Sequence, residues 1–436
     1  MIMLLDHLFK GIKGKHTEKA LIWHNKFYSI QWMQERTAYW QKWIAAQDFK
    51  DRKVVAFRYI LCPEAITLAF ALLENKFILV PVDDTLGLEN LDVNKVTEAE
   101  IELSFTAKGE ITCRCLNSPG LSSSYKTIKE KKHAGLVILR MSRGGKLKAG
   151  VYDFNLLYDE LSGFEQPYIT LVTGELDFIS ILSAVFSAVE FGGCTVLSSN
   201  QRLVDILKLI RMHKVQALIT TSHFSSRLAA SKIARKHDLQ SLELITYGPK
   251  PLGSHNLHLL KSLLPQSKLH MVKNAGCFGY TNSIVRKNGS AWMRINEADT
   301  NLRIVNNILW VRGRSSFLGY LNRSKSAAVQ PWIETGDVVD IRDGYYRILG
   351  KRSETIACGD KNIYCSEVED VILELDNIKD AIVFGAENPI LGRILATKVK
   401  TREPQSIESV KASIRKQCSQ KLSPHQIPAK IELADV

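Results

Sequence analysis

The chain has 436 residues, 45% hydrophobic, 8% aromatic and 24% charged, an ordinary globular composition too long for one compact core, so two or three domains are expected. Fifty-eight Lys and Arg against 45 Asp and Glu give a formal charge of +13, which favours anionic partners such as nucleotides, coenzyme A or an acidic carrier domain. The basic residues form no Arg-rich arm, RNA-binding aromatic motif or zinc-finger spacing, which argues against nucleic acid; the eight cysteines lack C-x-x-C and zinc spacing and are expected as free thiols in a reducing cytoplasm.

The opening "MIMLLDHLFKGIKGK" carries Asp6 and His7 early, and its apolar stretch is too short for a signal peptide. Residues 53–59 and 77–83 have strand character, and residues 64–75 between them have helical spacing. The apolar run "LVILR" (136–140) leads into "MSRGGKLKAG" (141–150). There Ser142, Gly144, Gly145, Lys146 and Lys148 suit a phosphate loop, because glycines let backbone N–H groups approach an anion and lysines add charge. The loop has neither GxxxxGK[ST] nor GxGxxG, so an ordinary basic turn is the competing reading.

The longest apolar stretch, "FISILSAVFSAVEF" (178–191), is interrupted by Glu190 and falls short of the ~20 residues of a membrane span. It reads as a buried helix, and no transmembrane segment is expected. Glu175 and Asp177, just before it, could face a pocket or solvent, and solvent is the preferred reading. Strand, helix, strand and strand follow at 194–199, 202–214, 217–221 and 241–248, the rhythm of parallel βαβ units.

Three further segments could carry chemistry. "LELITYGPKPL" (242–252) is a buried strand ending at Gly248, Pro249 and Lys250, and ligands of open parallel sheets sit at carboxyl ends of strands. A glycine there admits a flat ring; the plain alternative is a strand-to-helix turn. In "NAGCFGYTNS" (274–283), Phe278 could stack on a base beside Gly279, and Thr281 could hydrogen-bond a phosphate; the alternative is an ordinary glycine loop. In "WIETGDVVDI" (332–341), Asp337 is expected at the mouth of a strand after a Thr-Gly turn, where a carboxylate can accept both hydroxyls of a ribose or merely cap the turn.

From about residue 307 the pattern becomes antiparallel, with Asp343-Gly344 as a hairpin turn. "KRSET" (351–355) is polar and hinge-like. Ser366 with Glu369 is expected to form a capping box before a helix. A strand at 381–385, an amphipathic helix at 406–422 and a final strand complete a small α+β unit. The expected fold is α/β: a large N-terminal domain (1–350) with parallel sheets plus a distorted antiparallel β part, and a small C-terminal α+β lid (351–436).

Taken in order, these segments resemble the motif series of the adenylate-forming superfamily: acyl- and aryl-CoA synthetases, adenylation domains of nonribosomal peptide synthetases, and luciferases. "FILVPVDDTL" is similar to the family's "VPLDP" segment, "GPKPL" to "GGxPL", and "FGYTN" to "YGxTE". "VRGRSSFLGYLN" is similar to "VxGxxVxxGYxN", and "TGDVVDIRDGYYRILGK" to "TGDLGxxDxDGYxxxxGR". The resemblance runs from about residue 20 to the end.

It implies an enzyme that joins a carboxylic acid to ATP, releasing pyrophosphate. The lid then turns about a hinge near Ser353 and Glu354, and a thiol or amine takes the acyl group. It places Asp337 on the ribose, Thr281 on the α-phosphate as the one residue expected in a catalytic role, Phe278 on the base in place of the usual tyrosine, and Gly248, Pro249 and Lys250 at the adenine. Gly359 falls on a lid glycine near the pantetheine arm of coenzyme A. Asn282 replaces a Mg²⁺-holding glutamate and would offer only an uncharged oxygen. Lys351 replaces an arginine, keeping the cation without its planar fork, and Ala357 replaces a common lysine. The family's catalytic lysine lies in a "PKTxxGKxxR" segment; the sequence ends at "IPAKIELADV", and Lys430 precedes that position.

Two expectations follow. The first is an AMP-dependent acyl ligase using ATP or AMP and a weakened Mg²⁺ site, acting on a small carboxylic acid with coenzyme A, a phosphopantetheine-bearing acyl carrier protein or an amine as acceptor. The alternative is a degenerate, non-adenylating homologue that binds a partner or carrier, or performs only acyl transfer.

Overall fold

The computed structural model describes residues 19–82, 92–105, 110–117, 120–141, 147–160, 166–173, 176–198, 202–248, 251–274, 280–284, 291–294, 302–312, 316–321, 332–352, 355–358, 361–375, 377–388, 392–401 and 405–433. Strands appear in chain order as β1 (Lys19–Trp23), β2 (Lys26–Ser29), β3 (Val54–Arg58), β4 (Ile78–Val82), β5 (Ile101–Phe105), β6 (Ile111–Cys115), β7 (Gly135–Met141) and β8 (Leu147–Asp153). Next come β9 (Ile169–Thr173), β10 (Cys194–Ser198), β11 (Ala217–Thr221), β12 (Leu244–Gly248), β13 (Lys268–Asn274) and β14 (Tyr280–Ile284). The antiparallel part holds β15 (Met293–Arg294), β16 (Leu302–Val305), β17 (Ile308–Arg312), β18 (Phe317–Tyr320), β19 (Trp332–Arg342) and β20 (Tyr345–Lys351). The C-terminal unit holds β21 (Ile356–Cys358), β22 (Lys361–Ile363), β23 (Ile378–Asn388), β24 (Gly392–Thr401) and β25 (Lys430–Leu433).

Two mixed sheets build the core. One has the order β14-β13-β12-β11-β9-β10-β1-β2, the other β18-β8-β7-β4-β3-β5-β6. In the first, β1 and β9 to β13 run parallel, and antiparallel β2 and β14 close its edges. The helices Pro63–Glu74 and Phe178–Phe191 are mostly apolar, their few polar residues form no continuous stripe, and nearly every residue in them is buried. A helix without a polar face must be covered all round. Here one hydrophobic core joins Val55, Phe57 and Leu79 of one sheet to Val172, Leu197 and Ile219 of the other through Phe70, Leu182 and Phe186 of these helices. Phe70 and Phe186 stack with ring centroids 5.3 Å apart. The expectation of a buried helix at 178–191 is met, and among the described residues no helix is long and apolar enough to cross a membrane.

A third sheet, β15-β20-β19-β17-β16, is antiparallel. Asp343 and Gly344 both have positive φ, +49° and +75°, as the hairpin turn requires. A separate core assembled from residues between Ile356 and Ile431 supports the C-terminal unit, whose β23-β24-β25 sheet is packed by the helices Cys365–Leu373 and Ile407–Lys421. The chain is therefore α/β, with a large N-terminal part and a small α+β C-terminal part.

Three local expectations change. Ser366 caps nothing: the helix starts at Cys365 after Tyr364, with no side-chain cap. Ser366 Oγ instead donates to Leu349 O of β20, and Glu369 Oε1 accepts from Val383 N at 2.8 Å. Both side chains are drawn away by neighbouring strands. Thr335-Gly336 is no turn ahead of a strand, since β19 runs through it. Gly336 takes φ +73° near an irregularity in the pairing of β19, the usual role of glycine at a bulge. Asp177 does not simply face solvent, as described below.

Candidate active site

The hairpin β7–β8 carries the suspected phosphate loop. Its strands pair in register, Met141 with Leu147 and Arg140 with Lys148. Ser142, Gly144, Gly145 and Lys146 of the loop itself lie outside the described residues. Lys148 is described, and it is exposed. Arg140, opposite it, was not singled out from the sequence. Its Nη2 is 3.4 Å from Asp177 Oδ2. Asp177 in turn caps the helix Phe178–Phe191, its Oδ1 accepting from Ser180 N at 3.0 Å and Ser180 Oγ at 2.7 Å. One aspartate thus starts the buried helix and ties the loop-bearing hairpin to the end of β9.

At that end of the first sheet, β9 and β10 finish level at Thr173 and Ser198, β11 and β12 finish level at Thr221 and Gly248, and β11 runs one residue beyond β9, since Ile219 pairs with Val172. Thr173 and Thr220 are buried, with hydroxyl oxygens 3.5 Å apart, and Thr221 caps the helix Ser222–Ala229 through Phe224 N at 3.1 Å. The strand carboxyl ends therefore present a row of hydroxyls, where an open parallel sheet holds ligands. Gly248 closes this row, as the sequence suggested. Pro249, Lys250, Phe278 and Gly279 lie outside the described residues. Thr281 and Asn282 are described as backbone of β14, opposite Lys273 and Val272 of β13.

The third sheet approaches through Tyr247. This phenol shares a core with Tyr346 of β20. Burial, and then the neighbouring Tyr346, hold its pKa well above the ordinary tyrosine value. On the same hairpin the structure brings two predicted residues into contact. Asp337 is opposite Lys351, and Lys351 Nζ is 2.8 Å from Asp337 Oδ1. The lysine also donates to Thr335 O at 2.7 Å, while Thr335 Oγ1 bridges Asp337 N (3.0 Å) and Leu309 O (2.7 Å). The Asp337 side chain is 6% exposed and that of Lys351 38%. Lys351 holds the carboxylate at Oδ1 and Thr335 holds the residue's backbone amide, and the cation reaches water.

The chain passes directly from this pair into the expected hinge. Arg352 pairs with Glu334, and Thr355 Oγ1 donates to Lys351 O at 3.1 Å. Ser353, Glu354 and Gly359 lie outside the described residues. Ala357 is an exposed residue of β21, and Lys430 in β25 pairs with Glu432 at 2.6 Å. Among the described residues no group of three or more His, Cys, Asp or Glu could hold a metal, and six cysteines, among them exposed Cys113 and Cys115, are not in disulfides.

The chain is similar to several known proteins. The AMP-binding enzyme C-terminal domain family matches residues 367–436. A 2-succinylbenzoate–CoA ligase of Bacillus licheniformis is 25% identical over 296 residues, 63% of this chain and 59% of the relative. The chain spans about half to three-fifths of the length of such curated relatives. Among solved structures, an anthranilate CoA ligase in complex with anthranoyl-AMP superposes with a TM-score of 0.81 at 14% identity, covering 99% of this chain and 93% of that one. An o-succinylbenzoate CoA synthetase of Bacillus subtilis with its acyl-adenylate intermediate gives 0.73 at 18% identity, covering 98% and 94%. At such identities the structural likeness establishes the fold.

Proposed function

We propose that this chain, a member of the adenylate-forming superfamily, joins a small carboxylic acid to ATP and passes the acyl group to a thiol or an amine. In the first step a carboxylate oxygen attacks the α-phosphorus, the bond to the β-phosphate breaks, and pyrophosphate leaves. In the second, a sulfur or nitrogen nucleophile attacks the acyl carbon, and AMP leaves. The observation that carries this reading is the buried Asp337 carboxylate gripped by Lys351 where the chain leaves the core for its C-terminal unit.

Asp337 would accept the ribose hydroxyls, and Lys351 would hold its carboxylate in place. Gly248 would admit the adenine ring. Arg140 and Lys148 would offset phosphate charge beside the loop containing Ser142 and Lys146. Thr281 would reach the α-phosphate from β14. Residues 1–350 would form the nucleotide-binding core, and residues 351–436 the lid. Mg²⁺ would supply further charge neutralisation at the phosphates. Among the described residues no group of three or more His, Cys, Asp or Glu could hold it, and Asn282 would offer it an uncharged oxygen. Coenzyme A or a phosphopantetheine on a carrier protein would be the thiol. The non-adenylating alternative is not favoured, because relatives and structural neighbours alike are ligases and synthetases.

The test is hydroxylamine trapping with pyrophosphate release, using ATP, Mg²⁺ and panels of aryl, fatty and amino acids. Aryl acids come first, given the acids named for the relatives. Acid-dependent hydroxamate and pyrophosphate are expected. Their absence with every acid class would overturn the adenylation step.

A further inference from the structure

The C-terminal unit meets the core at a carboxylate. Asp370 lies on the helix Cys365–Leu373, and its Oδ2 accepts a hydrogen bond from Ser254 N at 3.3 Å. Ser254 opens the helix Ser254–Leu263, whose N-cap is Gly253, without a capping side chain. Asp370 thus supplies from another part of the molecule the acceptor that a local N-cap residue would supply. A Cβ added at Gly253 would overlap the Asp370 carboxyl group; the glycine is what lets the acid in. Two contacts flank this one: Ser366 Oγ donates to Leu349 O, and Arg347 Nη2 is 3.6 Å from Glu367 Oε1. Gly253 follows directly behind the Gly248–Leu252 segment assigned above to the adenine.

We propose that Asp370, seated on Gly253 and Ser254, is a proton-sensitive latch holding the lid against the adenine side of the core. This rests on the reading of the C-terminal unit as a moving lid. The groups around the latch explain the sensitivity. Burial is the largest influence and raises the Asp370 pKa; the Ser254 N–H lowers it; Glu369, Glu367 and Glu374 on the same helix raise it. From β20, Arg347 is shared between Glu367 and Asp340, each 3.6 Å away. From the helix Ile407–Lys421, Gln417 and Lys421 are engaged with Glu374. The helix Ser254–Leu263 offers its amide end and carries His255 and His258 as titratable side chains. The net result lifts the carboxyl from its ordinary 3.8 to about 7; the burial under the core and the Ser254 N–H are lost on undocking, whereas the three glutamates stay beside Asp370 on its own helix.

The sign follows from linkage. A carboxyl whose pKa is higher in the docked state takes up a proton on docking at any pH between the two values. The docked-to-undocked ratio therefore falls about tenfold per pH unit across that window. It levels off once both states are ionised. Docking is strongest in acid and weakest above neutrality.

The experiment is energy transfer between one dye on the core helix Leu203–His213 and one on the lid helix Ile407–Lys421, in the full chain without nucleotide, from pH 5 to pH 8. Wild type is expected to lose docking by tenfold or more. Asp370→Asn keeps an acceptor oxygen and titrates nothing, so it should stay docked at pH 8 with a flat profile. Gly253→Ala, folded by circular dichroism, should be undocked at pH 5. Identical profiles for wild type and Asp370→Asn, or wild-type docking by Gly253→Ala, would overturn the latch. No substrate is needed, so a failure of the proposed ligase activity and a failure of the latch are read separately.

Discussion

Removing Lys351 should harm the protein more than removing Asp337, although the two form one ion pair. The reason is where each partner is left. The Asp337 side chain is 6% exposed and that of Lys351 38%. Lys351→Met strands a buried carboxylate without the cation 2.8 Å away, a loss of about 3–5 kcal/mol for a buried pair broken from one side. Asp337→Asn leaves a lysine that turns into water, and only a charge-assisted hydrogen bond is lost, about 1.5–3 kcal/mol before solvent screening reduces it. Lys351→Met should therefore cost about 1–2 kcal/mol more, the difference between the middles of the two ranges. The double variant should cost less than Lys351→Met alone, because it strands no charge. Equilibrium urea unfolding at pH 7.5 measures all three. If Asp337→Asn proved the costlier single change, the assignment of burial and charge in this pair would be wrong.

Three other outcomes follow from packing and charge. A Cβ at Gly193 would sit 2.5 Å from Tyr168 O and 3.2 Å from Pro167 C; these are backbone atoms that cannot swing aside, so Gly193→Ala should cost about 1–3 kcal/mol in thermal unfolding. Asp177→Ala removes the cap of the helix Phe178–Phe191 and should cost about 1 kcal/mol by the same measurement, and a melting point equal to wild type would refute the capping role. Burial opposes ionisation of Glu102, but hydrogen bonds from Asn94 and Arg58 and the charges of Arg114 and Arg58 win, leaving its pKa below the usual value. Its stabilisation is thus present above pH ~4.5 and lost as pH falls through the lower folded value. Urea midpoints of wild type and Glu102→Gln should converge in acid, and a constant gap down to pH 3 would contradict this.

Much of the fold was legible because local signals and burial agreed. Residues 178–191 have no polar face, so only a helix between two covers could hold them, and that is where they lie. Asp343-Gly344 set the β19–β20 turn because both residues adopt positive φ. The Asn306-Asn307 turn between β16 and β17 works the same way, with φ of +50° and +58°; that signal was in the sequence and was passed over. The Asp337–Lys351 contact was not legible. Counting outward from the Asp343-Gly344 turn, an unbroken hairpin would set Asp337 opposite Gly350. The register shift between Val338 and Val339 moves it to Lys351, and nothing local announces such a shift except Gly336. The capping box failed because Ser366 and Glu369 each had a better partner on a distant strand. Arg140 escaped notice since its role depends on Asp177, 37 residues away.

The measurement closest to the central claim is calorimetric titration of AMP and ATP into wild type and Asp337→Ala. Wild type should bind with a Kd at or below ~1 mM, and an Asp337→Ala variant that keeps its circular dichroism spectrum should bind at least about tenfold more weakly, ~1.4 kcal/mol. No binding by wild type, or equal binding by both proteins, would contradict the assignment of this pair to the nucleotide.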